Sequence, residues 1–132
     1  EMSENLQKVK DYLNELEFTI SSENAAEELV VIDDEEKGIN NLIIDCEDPV
    51  LVIEQVIMDV PEKTEGFYKR LLQMNRTLVH GAFVLDEEGI KVIFRDTLQL
   101  ENLDKNELEG SITALSIALA EYAGELIEFS KS

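Results

Sequence analysis

The hydrophobic period switches repeatedly along this chain, and the order of the switches constrains the fold more than any other feature. Leu6, Val9, Leu13 and Leu16 recur at three and four residues, Phe18 and Ile20 then alternate with Thr19 and Ser21, and helical spacing returns at Phe67, Leu71, Leu72, Met74 and Leu78. A period near 3.6 marks a helix with one apolar face, and a period of two marks a strand. The full order predicts α-β-β-β-β-α-β-β-α: an α+β domain with a mainly antiparallel sheet and three helices.

Local signals place the boundaries. Ser3 reads as the N-cap of a helix reaching about Leu16, followed by a strand at 18–21, a turn at Ser22-Glu23-Asn24 and a strand from Glu28 to Ile32. The acidic run Asp33 to Lys37, ended by Gly38, turns into a strand from Ile39 to Cys46. Asp48-Pro49 breaks the chain before a β-branched strand from Val50 to Val60, which Pro61 ends. A helix from Glu62 or Lys63 to Leu78 leads to a hairpin, Ala82–Leu85 and Ile90–Arg95, across Asp86-Glu87-Glu88-Gly89. Thr97 to Asn102 reads as a short edge strand. Asp104 with Glu107 then forms a capping box for a helix reaching about Phe129, whose apolar positions Leu108, Ile112, Leu115, Leu119, Tyr122, Leu126 and Phe129 step alternately by four and three.

Half-buried antiparallel strands normally show one apolar and one polar face. In the fourth strand, Val52, Val56, Met58 and Val60 oppose Leu51, Ile53 and Ile57, so both faces need cover. Three helices are expected to cover one face fully and the other in part, leaving apolar surface for a second copy or a client. The candidate partner contacts are Phe67, Leu71 and Met74 on the second helix and Ile53, Ile57 and Met58 on the fourth strand, residues equally suited to the core.

At 132 residues the chain has the length of one domain, expected to span 2–132 with Glu1 an added residue before Met2. Its 44% hydrophobic content is enough to build a core beside 31% charged residues. The formal net charge of −19 argues against phosphate backbones and anionic membranes as partners, because both need clustered Lys and Arg. Residues 1–66 carry net −15 and residues 67–132 net −4, so the acidic field belongs mainly to the first half. Charges interrupt residues 1–20, unlike a signal peptide, which makes the cytoplasm the expected location.

The chemistry-bearing residues are few. Cys46, the single cysteine, reads as a buried hydrophobe, and His80, the single histidine, as a hydrogen-bonding structural residue at a helix-to-strand junction. The Asp33 to Gly38 run lacks calcium-loop spacing, and no nucleophile elbow, phosphate loop or dinucleotide fingerprint occurs. No catalytic residue, cofactor or metal is expected.

The stretch Leu71-Leu72-Gln73-Met74-Asn75, then His80-Gly81-Ala82-Phe83-Val84-Leu85-Asp86 with Gly89, resembles the central motif of the YbjN-like proteins of the type III secretion chaperone-like fold. Leu98-Gln99-Leu100, Leu103-Asp104 and the terminal helix extend the likeness to the chain's end. The resemblance implies a homodimer or interaction module, chaperone-like or adaptor, that binds a protein or peptide without cofactor or nucleotide. The alternatives are an acidic mimic that blocks a basic nucleic-acid-binding protein and a small-ligand sensor using His80.

Overall fold

Capping and periodicity build the first helix as expected. In the computed structural model, which describes residues 3–131, α1 spans Glu4–Glu15 and the Ser3 hydroxyl accepts a hydrogen bond from the Leu6 N–H at 3.0 Å. Four strands follow: β1 (Thr19–Asn24), β2 (Leu29–Asp34), β3 (Ile39–Glu47) and β4 (Val50–Asp59). Then come α2 (Phe67–Thr77), the hairpin β5 (Ala82–Leu85) and β6 (Lys91–Gln99), and α3 (Lys105–Ser130). The α+β class, the three helices and the element order are those the sequence predicts.

All strand pairs are antiparallel, and the sheet order is β1-β2-β3-β4-β6-β5. The hairpins make most neighbours, while β6 inserts between β4 and β5, so the sheet is completed by a long-range pairing across α2.

Several boundaries differ from expectation for identifiable reasons. The segment 22–24 continues β1, and the turn lies later, where the Asn24 side chain accepts from the Glu27 N–H at 3.0 Å. The second helix starts at Phe67 and not at residue 62 or 63, because Gly66 takes a left-handed φ of 76° that a right-handed helix cannot include. The edge strand expected over 97–102 is the end of β6. Asp96 does not break the strand, since its carboxylate accepts from the Ser111 hydroxyl of α3 at 2.7 Å.

All three helices lie on one face of the sheet. Lys10 of α1 reaches Glu23 of β1 at 2.9 Å, Ser111 of α3 reaches Asp96 of β6, and Asn75 of α2 binds the backbone of Phe83 in β5. The strand residues of that parity form the core with the helices: Val30, Ile32, Leu42, Ile44, Leu51, Ile53, Val92 and Phe94. From the helices come Leu6, Val9, Leu13, Phe67, Met74, Leu108, Ile112 and Leu115. Gln55 is buried on the same side, with its amide satisfied by the Asn40 N–H and the Gly38 carbonyl at 3.0 and 3.1 Å. The sequence expectation of partial cover on the second face is therefore corrected: that face carries no helix.

A bulge also revises the assignment of the fourth strand. Val56 pairs with Ile93, but Met58 pairs with Val92, so the register slips between them. One extra residue turns the alternation over. Val52 and Val56 stay on the open face, while Ile57 and Met58 both pack against the core.

Candidate protein-binding surface

The open face is built by every second residue of five strands. Cα register aligns Val31, Ile43, Glu54, Arg95 and Ala82 in one row, and Leu29, Asp45, Val52 and Thr97 in the next. A third row holds Val56, Ile93 and Val84. Strand propensity favours β-branched residues on either parity, so the sequence could supply an apolar face here without marking it as exposed. Ile43 is 41% and Val56 55% exposed, whereas Val52 is only 8% exposed. Together with Leu29, Ile93, Asp45 and Glu54 they line a depression of about 600 Å³.

Asp45 occupies the middle of this surface, between Leu29 of β2 and Val52 of β4. Its Oδ1 atom is shielded from solvent and has no hydrogen-bond partner among the described residues. Burial pushes its carboxyl up to about 6, and Glu47, as hydrogen-bond partner and as charge, and the charges of Glu27 and Glu54 push in the same direction. Glu54 itself is paired with Arg95, its cross-strand neighbour, at 2.6 Å. Arg95 is thus already engaged.

The six residues selected from the sequence lie elsewhere. Phe67, Met74 and Ile53 are fully enclosed and Leu71 nearly so; all four belong to the core between helices and sheet and reach no surface in this conformation. Ile57 and Met58, at and beside the bulge, are half-buried against the same core. The period-two parity that contains Val52 and Val56 was the available signal for the open face. Nothing in the sequence distinguished Asp45 from the other carboxylates.

The motif that carries the family resemblance has a structural purpose. The Asn75 side chain donates to the Phe83 carbonyl at 3.0 Å and accepts from the Phe83 N–H at 2.7 Å, acting as a neighbouring strand would and closing the outer edge of β5. Gly81 has φ 74°, and a Cβ there would press into the Phe94 ring. Asp86 accepts from the N–H groups of Ile90 and Lys91 at 2.8 and 3.0 Å, which fixes the hairpin turn.

His80 differs from expectation. It is exposed beside α3 in a depression it shares with Val79, Gly110 and Ile117, and it makes no hydrogen bond among the described residues. Cys46 is buried, and burial with the nearby Glu28 and Asp45 charges pushes its thiol up to about 11, so little of it ionises at neutral pH. Among the described residues, no three His, Cys, Asp or Glu side chains come together as a group able to hold a metal. No described helix is long and apolar enough to cross a membrane.

Comparison with known structures agrees with this architecture. YbjN from E. coli superposes with a TM-score of 0.72 at 14% identity, over 92% of each chain. A chain of the HopA1–SchA chaperone–effector complex gives 0.63 at 14% identity, over 97% of this chain and 96% of that one. An uncharacterised protein from Methanothermobacter thermautotrophicus gives 0.66 at 18%, over 94% and 97%. A sequence comparison with curated proteins finds no match. The CesT_Tir_1 model, which describes a type III secretion chaperone family, matches residues 2–132, and the chain belongs to that family.

Proposed function

We propose that this protein is a non-catalytic, chaperone-like binding module that presents the open face of its sheet to a partner polypeptide. The observation that carries this reading is the placement of all three helices on one face, which leaves Ile43 and Val56 exposed on the other beside Val52 and Ile93. A contiguous apolar surface ringed by polar residues is a common form of protein interface. Membership of a chaperone family and the fold shared with a chain of a chaperone–effector complex support the same role. The acidic field supports it as well, because a net charge of −19 keeps an exposed apolar face from clustering while no partner is bound. A homodimer, implied by the family resemblance, forms part of the reading.

Recovery from native lysate tests the role. The wild-type chain should retain a specific polypeptide that a variant carrying Ile43→Asp and Val56→Asp does not retain, with both proteins equally folded by circular dichroism. Light scattering on the same samples tests the homodimer. Recovery of no specific polypeptide, with monomer alone in solution, would overturn the reading.

A further inference from the structure

Beyond its apolar residues, the open face has a half-enclosed carboxylate that no cation among the described residues pairs with. Asp45 lies on the floor of the depression with one carboxylate oxygen enclosed and unpartnered. Shielding one oxygen of a carboxylate without giving it a hydrogen bond is costly, and a half-buried carboxylate among other acids gains from a cation brought to its accessible side. The charged groups around it are Glu27 from the β1–β2 turn, Glu47 on β3, and Glu54 on β4 with the Arg95 of β6 that Glu54 already holds. β2 contributes Leu29, which has no charge.

We infer that the open face receives an extended partner segment whose alternate apolar side chains flank a lysine or arginine, and that this cation pairs with Asp45. The inference rests on the protein-binding role proposed above and specifies its partner chemistry. A period-two segment suits this site, because Ile43 stands two residues before Asp45 on β3 and Leu29 and Val52 stand beside it on the neighbouring strands. The charge must arrive on a long side chain, since the surrounding carboxylates do not converge as a metal-holding group among the described residues. A second copy of this chain fits the face poorly. Face-to-face pairing would bring two sets of Asp45, Glu47, Glu27 and Glu54 together, against one Arg95 per copy that is already paired.

Two labelled ten-residue peptides with blocked ends and alternate valines serve as probes, one with a central lysine and one with norleucine in its place. At pH 7.5 the lysine peptide should bind the full chain about tenfold more tightly, the effect of one charge-assisted hydrogen bond. It should shift the amide signals of Ile43, Asp45, Val52 and Ile93. Asp45→Asn should bring the ratio of the two affinities close to one. If Asp45→Asn does not fold, Glu54→Gln is read instead, with a smaller loss of preference. Asp45 is charged mainly above about pH 6, so the preference should fade at pH 5. Equal affinity for both peptides, or a preference that persists in Asp45→Asn, would overturn the pairing. Signal changes confined to the helical layer, or no binding of either peptide, would remove the docking site. A dimer that Val56→Asp dissociates would give the face to a second copy and overturn the inference. The lysate experiment judges the general binding role separately, so that role can stand when this inference fails.

Discussion

Asp45 has a stability signature of unusual sign. Its carboxyl is pushed up to about 6, against about 3.9 in an unfolded chain, so the folded state favours the protonated form. The penalty for the charged form is full above about pH 6 and disappears as pH falls towards 4. Asp45→Asn should therefore raise the melting temperature at pH 7.5, by about 3–5 °C if the relief is near 1 kcal/mol. The gain should shrink steadily towards pH 4. Calorimetry of the two proteins side by side checks this, because the difference between them isolates one group. Other carboxylates act in the opposite direction: hydrogen bonds from Ser21 and the Asn41 N–H hold Asp33 low, that from the Lys91 N–H holds Asp86 low, and Arg70 holds Glu125 low. Their stabilisation is present at neutral pH and is lost as pH falls through their lowered values. Asn75 provides a second residue-level test. Asn75→Ala leaves both backbone groups of Phe83 without their partner and should cost about 2 kcal/mol in urea unfolding. Asn75 was visible in the sequence as part of a motif. Its partner, eight residues away across a loop, was not, because a residue pattern does not display the hydrogen bond that explains it.

Among the elements, end signals were the most legible. Asp104 and Glu107 marked the start of α3 correctly, and the Asp104 carboxylate accepts the Glu107 N–H at 2.8 Å. Asp104→Ala should cost about 1 kcal/mol, seen as a lower urea midpoint with an unchanged slope. The alternating steps of four and three along α3 predicted its inner face less well at the middle. Ala118 is fully buried there while Leu119 is only half-buried, with its side chain near Gly38. A straight helix has 3.6 residues per turn, so a 3.5-residue pattern drifts around it and an adjacent small residue takes the contact. The start of α2 was misread because residues 62–66 hold no apolar side chain whose spacing could mark a boundary, and the left-handed Gly66 keeps them out of the helix. In β4 a bulge inverted the parity of everything after it, and no residue in Val56-Ile57-Met58 announces a bulge.

For the molecule as a whole, the open face predicts a separation of stability from binding. Ile43 and Val56 are 41% and 55% exposed, so Ile43→Ser and Val56→Ser should each cost about 1 kcal/mol of unfolding free energy, less than a core truncation. The variant carrying both should lose most binding of the lysine peptide in titration. A core substitution such as Ile53→Ala should instead cost about 2–5 kcal/mol, since Ile53 is fully enclosed. The order of elements, the helix caps, the two acidic hairpin turns and the uneven charge were determined by sequence alone, because each depends on residues close together in the chain. Which apolar residues became core and which became surface was decided by tertiary structure. Both parities of the strands are rich in Val, Ile and Leu, so local pattern defines two faces without ranking them. The ranking comes from α1, α2 and α3 packing on the same side of the sheet, a set of contacts between distant residues that no local period encodes. That packing enclosed Phe67, Leu71, Met74 and Ile53 and left Ile43, Val56 and Asp45 on the face that carries no helix.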